Sequence, residues 1–382
     1  MRNVPVFKPL LESDEKAAAV ESLDLGWLGM GSYVADFEKR LSEVLELDGR
    51  YLACLNTGHS ALHLALVVAG VGPGDEVICP SFNCVSDFQA ILSVGATPVL
   101  CDCEDDTLGI DVAKAEALVT ERTKAVIAMD YGCALCDHAA VQAFAARHDL
   151  RVVHDAAHSV GSRWQGKMVG SFSDMTMLSF DPVKTITALD AGALIVSSEN
   201  ELKQIHELRI LGMGQPPAVM YQNKRAWTYH VERLGFRYHL LNLHAAIGLR
   251  QLDKLDRIAA SRRAVCAYYH ERFAGIAGLR LPPIDFEAAV PFIYYLRVLD
   301  GERDAFRAFL SDRGVDTGIH WQPGHSFALF ANCQTGDLSV TERIAEEIVT
   351  IPLHSSMDEA DRVQVADAVV AYFREGRAKR AA

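Results

Sequence analysis

Seven short apolar runs, set apart by polar turns and helical stretches, constrain this chain more than any other feature. They cover residues 51–55, 77–79, 98–100, 125–129, 151–153, 175–180 and 193–196. Helical patterns fall between several of them, at 84–94, 111–119 and 138–148. Apolar strands alternating with helices predict an α/β domain built on a mainly parallel seven-stranded sheet flanked by helices. In such sheets ligands bind beyond the carboxyl ends of the strands.

Three polar features fall on that edge. Asp155 ends the run Arg151-Val152-Val153-His154-Asp155. Ser179 and Lys184 close the run that begins at Met175, with Pro182 between them breaking any regular ladder. The turn Asn56-Thr57-Gly58-His59-Ser60 joins a strand to the helical run ALHLALVVAG. A helix start there would offer free N–H groups and the positive dipole end to an anion, although an ordinary capped helix has the same pattern. Lysine is rarely buried unless paired or chemically used. Lys184 therefore reads either as a solvated loop lysine or as an amine desolvated enough to attack a carbonyl. A buried Asp must be paired or hydrogen-bonded to stay ionised. An Asp, a Lys and an anion-binding helix start on one edge are together what pyridoxal phosphate (PLP) needs.

Charge narrows the partners. With 37 Lys and Arg against 50 Asp and Glu, the net charge of −13 repels phosphate backbones, so nucleic acid is not an expected partner. No apolar run approaches the roughly 20 residues of a membrane helix, and the first residues lack a signal-peptide core. A soluble, cytoplasmic protein is expected. The nine cysteines lie scattered through apolar segments, as reduced core residues do. Cys133 and Cys136 have redox-motif spacing, but a single CxxC reads first as structural.

Outside the sheet, residues 12–24 and 33–47 look helical, and 242–273 forms a long helical pattern. The stretch 212–230 is polar, bears Gly and Pro, and has no assignable pattern; a mobile or interface loop is the reading it allows. A strand at 294–299 and helices at 303–313 and 356–373 make a smaller α+β unit. The expected division is a large domain over 12–250 and a small C-terminal domain over 251–382. The basic tail from Arg374 is expected to be a frayed, solvated end.

Several motifs fail. No GxGxxG follows a strand, which disfavours a nicotinamide site. Gly58-His59-Ser60 and Gly324-His325-Ser326 both lack the closing glycine of a hydrolase elbow, at Leu62 and Ala328. His154 and His158 have i, i+4 spacing without HExxH, so no metal site is expected.

From GWLGMG at Gly26 to TERIAEEIVTIPLH at 341–354, the chain resembles the DegT/DnrJ/EryC1/StrS family of PLP-dependent sugar aminotransferases. The most specific pieces are GVGPGDEVICPSF, GATPVLCD, HDAAHSVGS, SFDPVKTIT, AAIGLRQLDKLD and TGIH. The resemblance implies PLP as cofactor and fold type I of aspartate aminotransferase. It places Lys184 at the Schiff-base position and Asp155 opposite the pyridine nitrogen. His158 falls beside the ring's phenolic oxygen, and Ser179, Gly58 and His59 at the phosphate. His320 and His325 are the candidate substrate contacts. The family's site is completed by a neighbouring subunit, so a homodimer with shared sites is implied.

Three positions depart from the family pattern. Cys84 stands where the family stacks an aromatic ring on the cofactor; Phe82, two residues away, would share a face with it on an extended segment. Arg237 stands where the family commonly has an Asn reaching the neighbour's phosphate, a role that arginine can also fill. Asp190-Ala191-Gly192 replaces Glu-Gly-Gly. The implied activity moves an amino group from an amino acid, glutamate by resemblance, to a nucleotide-linked keto sugar. The alternatives are another PLP reaction on this fold, such as dehydration, and a non-catalytic regulator. The dehydrating branch has His at the lysine position, and a binding module has no need of Lys184.

Overall fold

The computed structural model describes residues 2–380, with side chains described to Glu375. Eight strands form the main sheet, in the order Tyr51–Leu55, Gly192–Val196, Met175–Ser179, Arg151–Asp155, Thr123–Met129, Glu76–Pro80, Thr97–Cys101 and Gln334–Thr335. Seven are the expected apolar runs. The eighth is a two-residue strand beside Thr97–Cys101, too short to leave a periodic signal. Gly192–Val196 runs antiparallel to both its neighbours and the rest run parallel. The carboxyl ends of Tyr51–Leu55, Glu76–Pro80, Arg151–Asp155 and Met175–Ser179 therefore share one edge.

Alternation along the strands builds the layers. Ala53, Leu55, Met175, Met177, Leu194 and Val196 point to one face and pack with helix Gly58–Val68. Leu52, Cys54, Leu178, Ala193 and Ile195 point to the other, with Phe37 and Leu41 of helix Ser32–Val44 and with Ala245 and Leu252 of helix Asn242–Asp253. Fully buried side chains of this kind each contribute about 1.5–3 kcal/mol by leaving water. A three-stranded antiparallel sheet, Leu279–Arg280, Tyr294–Val298 and Ile348–Ile351, lies in the C-terminal part. Helices Leu255–Phe273, Arg303–Ser311 and Glu359–Arg380 supply its core, together with Val4 from the amino end.

Two local readings change. The helical pattern over 242–273 is two helices, Asn242–Asp253 and Leu255–Phe273, divided at Lys254. No Gly or Pro marks the break; the Lys254 ammonium is drawn onto Glu12, Asp14 and Glu15 at 2.6–3.0 Å. The tail from Arg374 continues helix Glu359–Arg380, and residues 381–382 lie outside the described residues. Among the described residues no helix is long and apolar enough to cross a membrane.

Candidate active site

The anion end of the site is built by close approach. Thr57 caps helix Gly58–Val68, its Oγ1 accepting from Ser60 N at 2.9 Å. The N–H groups of Gly58 and His59 thus stand at the open end of the helix. A Cβ on Gly58 would meet Ser179 Cβ at 2.9 Å and Oγ at 3.0 Å, so glycine is what lets the helix start and the serine close on each other. Gly192 pairs with both Leu55 and Ser179, and a Cβ there would lie 2.3 Å from Thr57 O. The glycine of Asp190-Ala191-Gly192 is therefore fixed by backbone contact.

Asp155, at the carboxyl end of its strand, is 3% exposed, and one of its oxygens accepts from Ala157 N at 2.9 Å. Burial pushes its carboxyl up to about 6, against the pull of Ala157 N–H and Lys184. Lys184 sits in the loop after Met175–Ser179, with its Nζ 4.5 Å from the Phe292 ring centroid. Burial holds that amine below the ordinary lysine value despite Asp155, Cys84 and Asp181. A lysine so placed loses its proton more readily than a solvated one. Lys184 is half-buried, packed over Phe292 rather than free in solvent.

His158 is buried, and its Nδ1 accepts from Gly132 N at 3.1 Å. The ring proton is thereby placed on Nε2. Burial, then Lys184, keeps the imidazole well below its usual value, so it is neutral. Its ring stacks on Trp321 at 5.1 Å and touches Phe292 at 4.5 Å. His320 lies in the same field: its Nδ1 meets Thr350 Oγ1 at 3.0 Å, and burial with Lys184 lowers it to about 4. His325 sits further along, its Nδ1 2.8 Å from Ser81 Oγ, in the loop that leads to Cys84.

Cys84 caps helix Val85–Ser93, and burial raises its thiol to about 11, with Asp155 and Lys184 both within electrostatic reach. Phe82 is fully buried, 5.4 Å from Tyr131, in the cluster that also holds Phe292 and Trp321. The ring under the Lys184 amine is Phe292, with Trp321 reached through His158. His59 is exposed, its Nδ1 3.0 Å from Ser86 Oγ. Arg237 is also exposed, on a segment whose backbone bonds to Arg209 O and, from Tyr238 O, to Asn56 N. Among the described residues its guanidinium makes no hydrogen bond or ion pair, and the single chain does not bring it into the Lys184 cluster.

Two features escaped the sequence reading. Asp87 is fully buried on the inner face of Val85–Ser93, near enough to Asp155 that the charge of Asp155 opposes ionisation of Asp87. Its trace in the sequence is the single charged residue of VSDFQAILS, one helical turn after Cys84. The second is a closed network one strand over. Asp130 accepts from His138 Nε2 at 3.0 Å, His154 Nε2 at 2.7 Å, Ser159 Oγ at 2.6 Å and Cys136 N at 3.0 Å. Asp130, His138 and His154 are close enough together to suggest a metal site. Their spacings are those of N–H donors on one carboxylate, which leaves the nitrogens committed.

The donor set fits PLP. Asp155 offers an anion to a cationic ring nitrogen, His158 an Nε2–H to a phenolic oxygen, and the Gly58–Ser179 cradle N–H and hydroxyl donors to a phosphate, with the Lys184 amine beside them. The comparisons agree. The sequence model of the DegT/DnrJ/EryC1/StrS aminotransferase family matches residues 9–370. GDP-perosamine synthase of Caulobacter vibrioides is 33% identical, over 94% of this chain and 95% of the relative. The structure of the aminotransferase TlmJ from Streptoalloteichus hindustanus superposes with a TM-score of 0.90 at 31% identity, covering 99% of this chain and 100% of that one. The PLP form of Spr1654 from Streptococcus pneumoniae also gives 0.90, at 25% identity, covering 98% and 99%.

Proposed function

The chain belongs to the DegT/DnrJ/EryC1/StrS aminotransferase family, a PLP-dependent enzyme of the sugar aminotransferase type, and from that premise we propose that it moves the amino group of glutamate to a nucleotide-linked keto sugar. The observation that carries the reading is the half-buried Lys184, packed over Phe292 and held below the ordinary lysine value, set against Asp155 and the neutral His158. The GDP in the name of the Caulobacter relative supports a nucleotide on the sugar. In the same reading, residues 12–250 are the PLP-binding domain and 251–382 the small one.

When bound, PLP supplies a carbonyl that exchanges amines and a ring that accepts an electron pair. The chain's own residues do the rest. Gly58 and His59 N–H with Ser179 Oγ hold the phosphate. Asp155 keeps the ring nitrogen cationic, and His158 Nε2–H donates to the phenolic oxygen. Lys184 Nζ would serve as the base that takes a proton from the substrate carbon and as the acid that gives one back. His320 and His325 contact substrate at the mouth. Cys84, at the helix cap near Asp155 and Lys184, would offer the ring a soft apolar wall in place of a stacked aromatic.

The assembly proposed is a homodimer in which the partner subunit's Arg237 completes the phosphate site. Exposed Trp227, Tyr229, Val231 and Leu234 precede Arg237 and support burial of this segment against a second copy. Mixing Lys184→Ala with Arg237→Glu should restore part of the lost activity, because one site of each mixed dimer has both native residues. Subunit exchange without recovery would refute the shared site.

The substrate reading is tested by incubating the PLP enzyme with glutamate and a panel of nucleotide-linked keto sugars. Ketone-to-amine conversion is read by mass. Conversion of simple keto acids with every nucleotide sugar untouched would remove the sugar assignment.

A further inference from the structure

Asp87 is a carboxyl with no mechanistic role in the scheme above, yet it is fully buried against Asp155. Its surroundings fix which oxygen carries a proton. The Asn83 amide is oriented by its neighbour, because Asn83 Oδ1 accepts from Cys84 N at 2.6 Å. Asn83 Nδ2 must then face Asp87, and it donates to Asp87 Oδ2 at 2.6 Å. Oδ2 is thus an acceptor. Asp87 Oδ1 is buried and finds no donor among the described residues. What it faces is the carboxyl of Asp155. Two carboxylates cannot both stay ionised in contact in a dry site, so one keeps a proton between them.

We infer that Asp87 is a neutral carboxylic acid that donates its Oδ1–H to the Asp155 carboxylate, and so acts as the positioning residue that sets the basicity of the ring-nitrogen partner. Burial and the Asp155 charge both drive Asp87 toward the protonated form. On Asp155 the same hydrogen bond works the other way and favours the anion. Other groups act on the pair from every side. Lys184 favours the ionised form of both acids, Asp130 opposes ionisation of Asp155, and the thiols of Cys84 and Cys79 face Asp87 from the cap and from strand Glu76–Pro80. Among these, only Asp87 has both a direct hydrogen bond to Asp155 and a second oxygen locked by an amide. The chain Cys84 N–H, Asn83, Asp87, Asp155 thereby ties the helix cap beside the cofactor to its ring nitrogen.

This inference rests on the placement of Asp155 given above, and its test separates the two. In the full-length, cofactor-free protein, infrared difference spectra at neutral pH should contain a protonated carboxyl C=O band that Asp87→Asn removes. That measurement needs neither cofactor nor substrate. No such band in the wild type, or a band that persists in Asp87→Asn, overturns the inference while leaving the aminotransferase reading intact. In the PLP enzyme, Asp87→Ala should shift the acid limb of the glutamate half-reaction upward by about one pH unit, because Asp155 loses a donor to its anion. The rate constant should fall about tenfold at an unchanged KM for glutamate. Asp87→Asn keeps an N–H donor toward Asp155 and should lie between Ala and wild type. An unmoved pH midpoint in Asp87→Ala, or an Asn variant no better than Ala, refutes the positioning role. If the Ala variant does not fold, the Asn variant and the infrared band still decide.

Discussion

Two buried acids lie close together on neighbouring strands and live in opposite regimes. Asp130, just past Thr123–Met129, takes four hydrogen bonds from His138, His154, Ser159 and the Cys136 amide. Burial works against its charge, yet its carboxyl is held well below the usual range. The charges of His154 and His138, and then their hydrogen bonds, outweigh that burial. Asp155, at the end of the next strand, has one backbone donor, and burial pushes it up to about 6. His154 and Asp155 are consecutive residues that alternate across the sheet, one serving each cluster. A polar group whose lone pairs are all matched inside the fold holds structure together. A group left under-matched, beside a desolvated lysine, is free to respond to a ligand.

Removal of the reactive amine should separate the clusters most sharply. Lys184→Ala should cut transamination by about 10³-fold or more, with the thermal midpoint near that of wild type because no ion pair to Lys184 is broken. Single-turnover assay with glutamate and a melting curve check both halves. A variant with half the wild-type rate would remove Lys184 from the chemistry.

The structural cluster should fail in the opposite sense. Asp130→Ala strands four donors and should cost about 3–5 kcal/mol of stability, read from denaturant midpoints. Activity per folded molecule should stay within a few-fold of wild type. If stability instead depends on added zinc or drops with a chelator, the network is a metal site and the comparison collapses.

The pH dependence of stability should carry two signs. The native carboxyl of Asp155 lies near 6, above the roughly 3.9 of an unfolded Asp. The native state therefore binds the extra proton, and this group makes the cofactor-free protein less stable as pH rises from about 4 to 6, by on the order of 2–3 kcal/mol. Asp155→Asn should flatten that window. Asp130 contributes the reverse: its stabilisation is present above the unfolded value and is lost only as pH falls through its depressed native value. A stability curve with no difference between wild type and Asp155→Asn from pH 4 to 6 would contradict the regime assigned to Asp155.

The smallest effect concerns the phosphate cradle. Gly192→Ala pushes a methyl against Thr57 O and should cost about 1–3 kcal/mol. PLP affinity should weaken more than the fold does, since the displaced backbone carries the helix start. Equal PLP affinity in the variant would show that the cradle tolerates the shift.

The alternation of apolar runs with helical stretches determined the sheet, and strand ends placed Asp155, Ser179, Lys184 and the Gly58 turn on one edge without any coordinates. These are local properties: periodicities of 2 and 3.6 residues, turn chemistry, and the rule that parallel sheets expose their sites at one end. The sequence could not tell whether Lys184 was solvated, because burial is a sum over segments distant in the chain, Phe292 among them. It offered Phe82 as a ring partner from extended spacing; that Phe82 packs on Tyr131, in one cluster with Phe292 and Trp321, is a tertiary fact. Asp87 was visible only as the one acid of its helix; its meaning comes from Asp155, brought to it by a sheet in which Thr123–Met129 inserts between the strand of Asp155 and Glu76–Pro80, the strand before the Asp87 helix. Which acid is matched and which is left wanting is fixed by long-range contacts, and those no local pattern encodes.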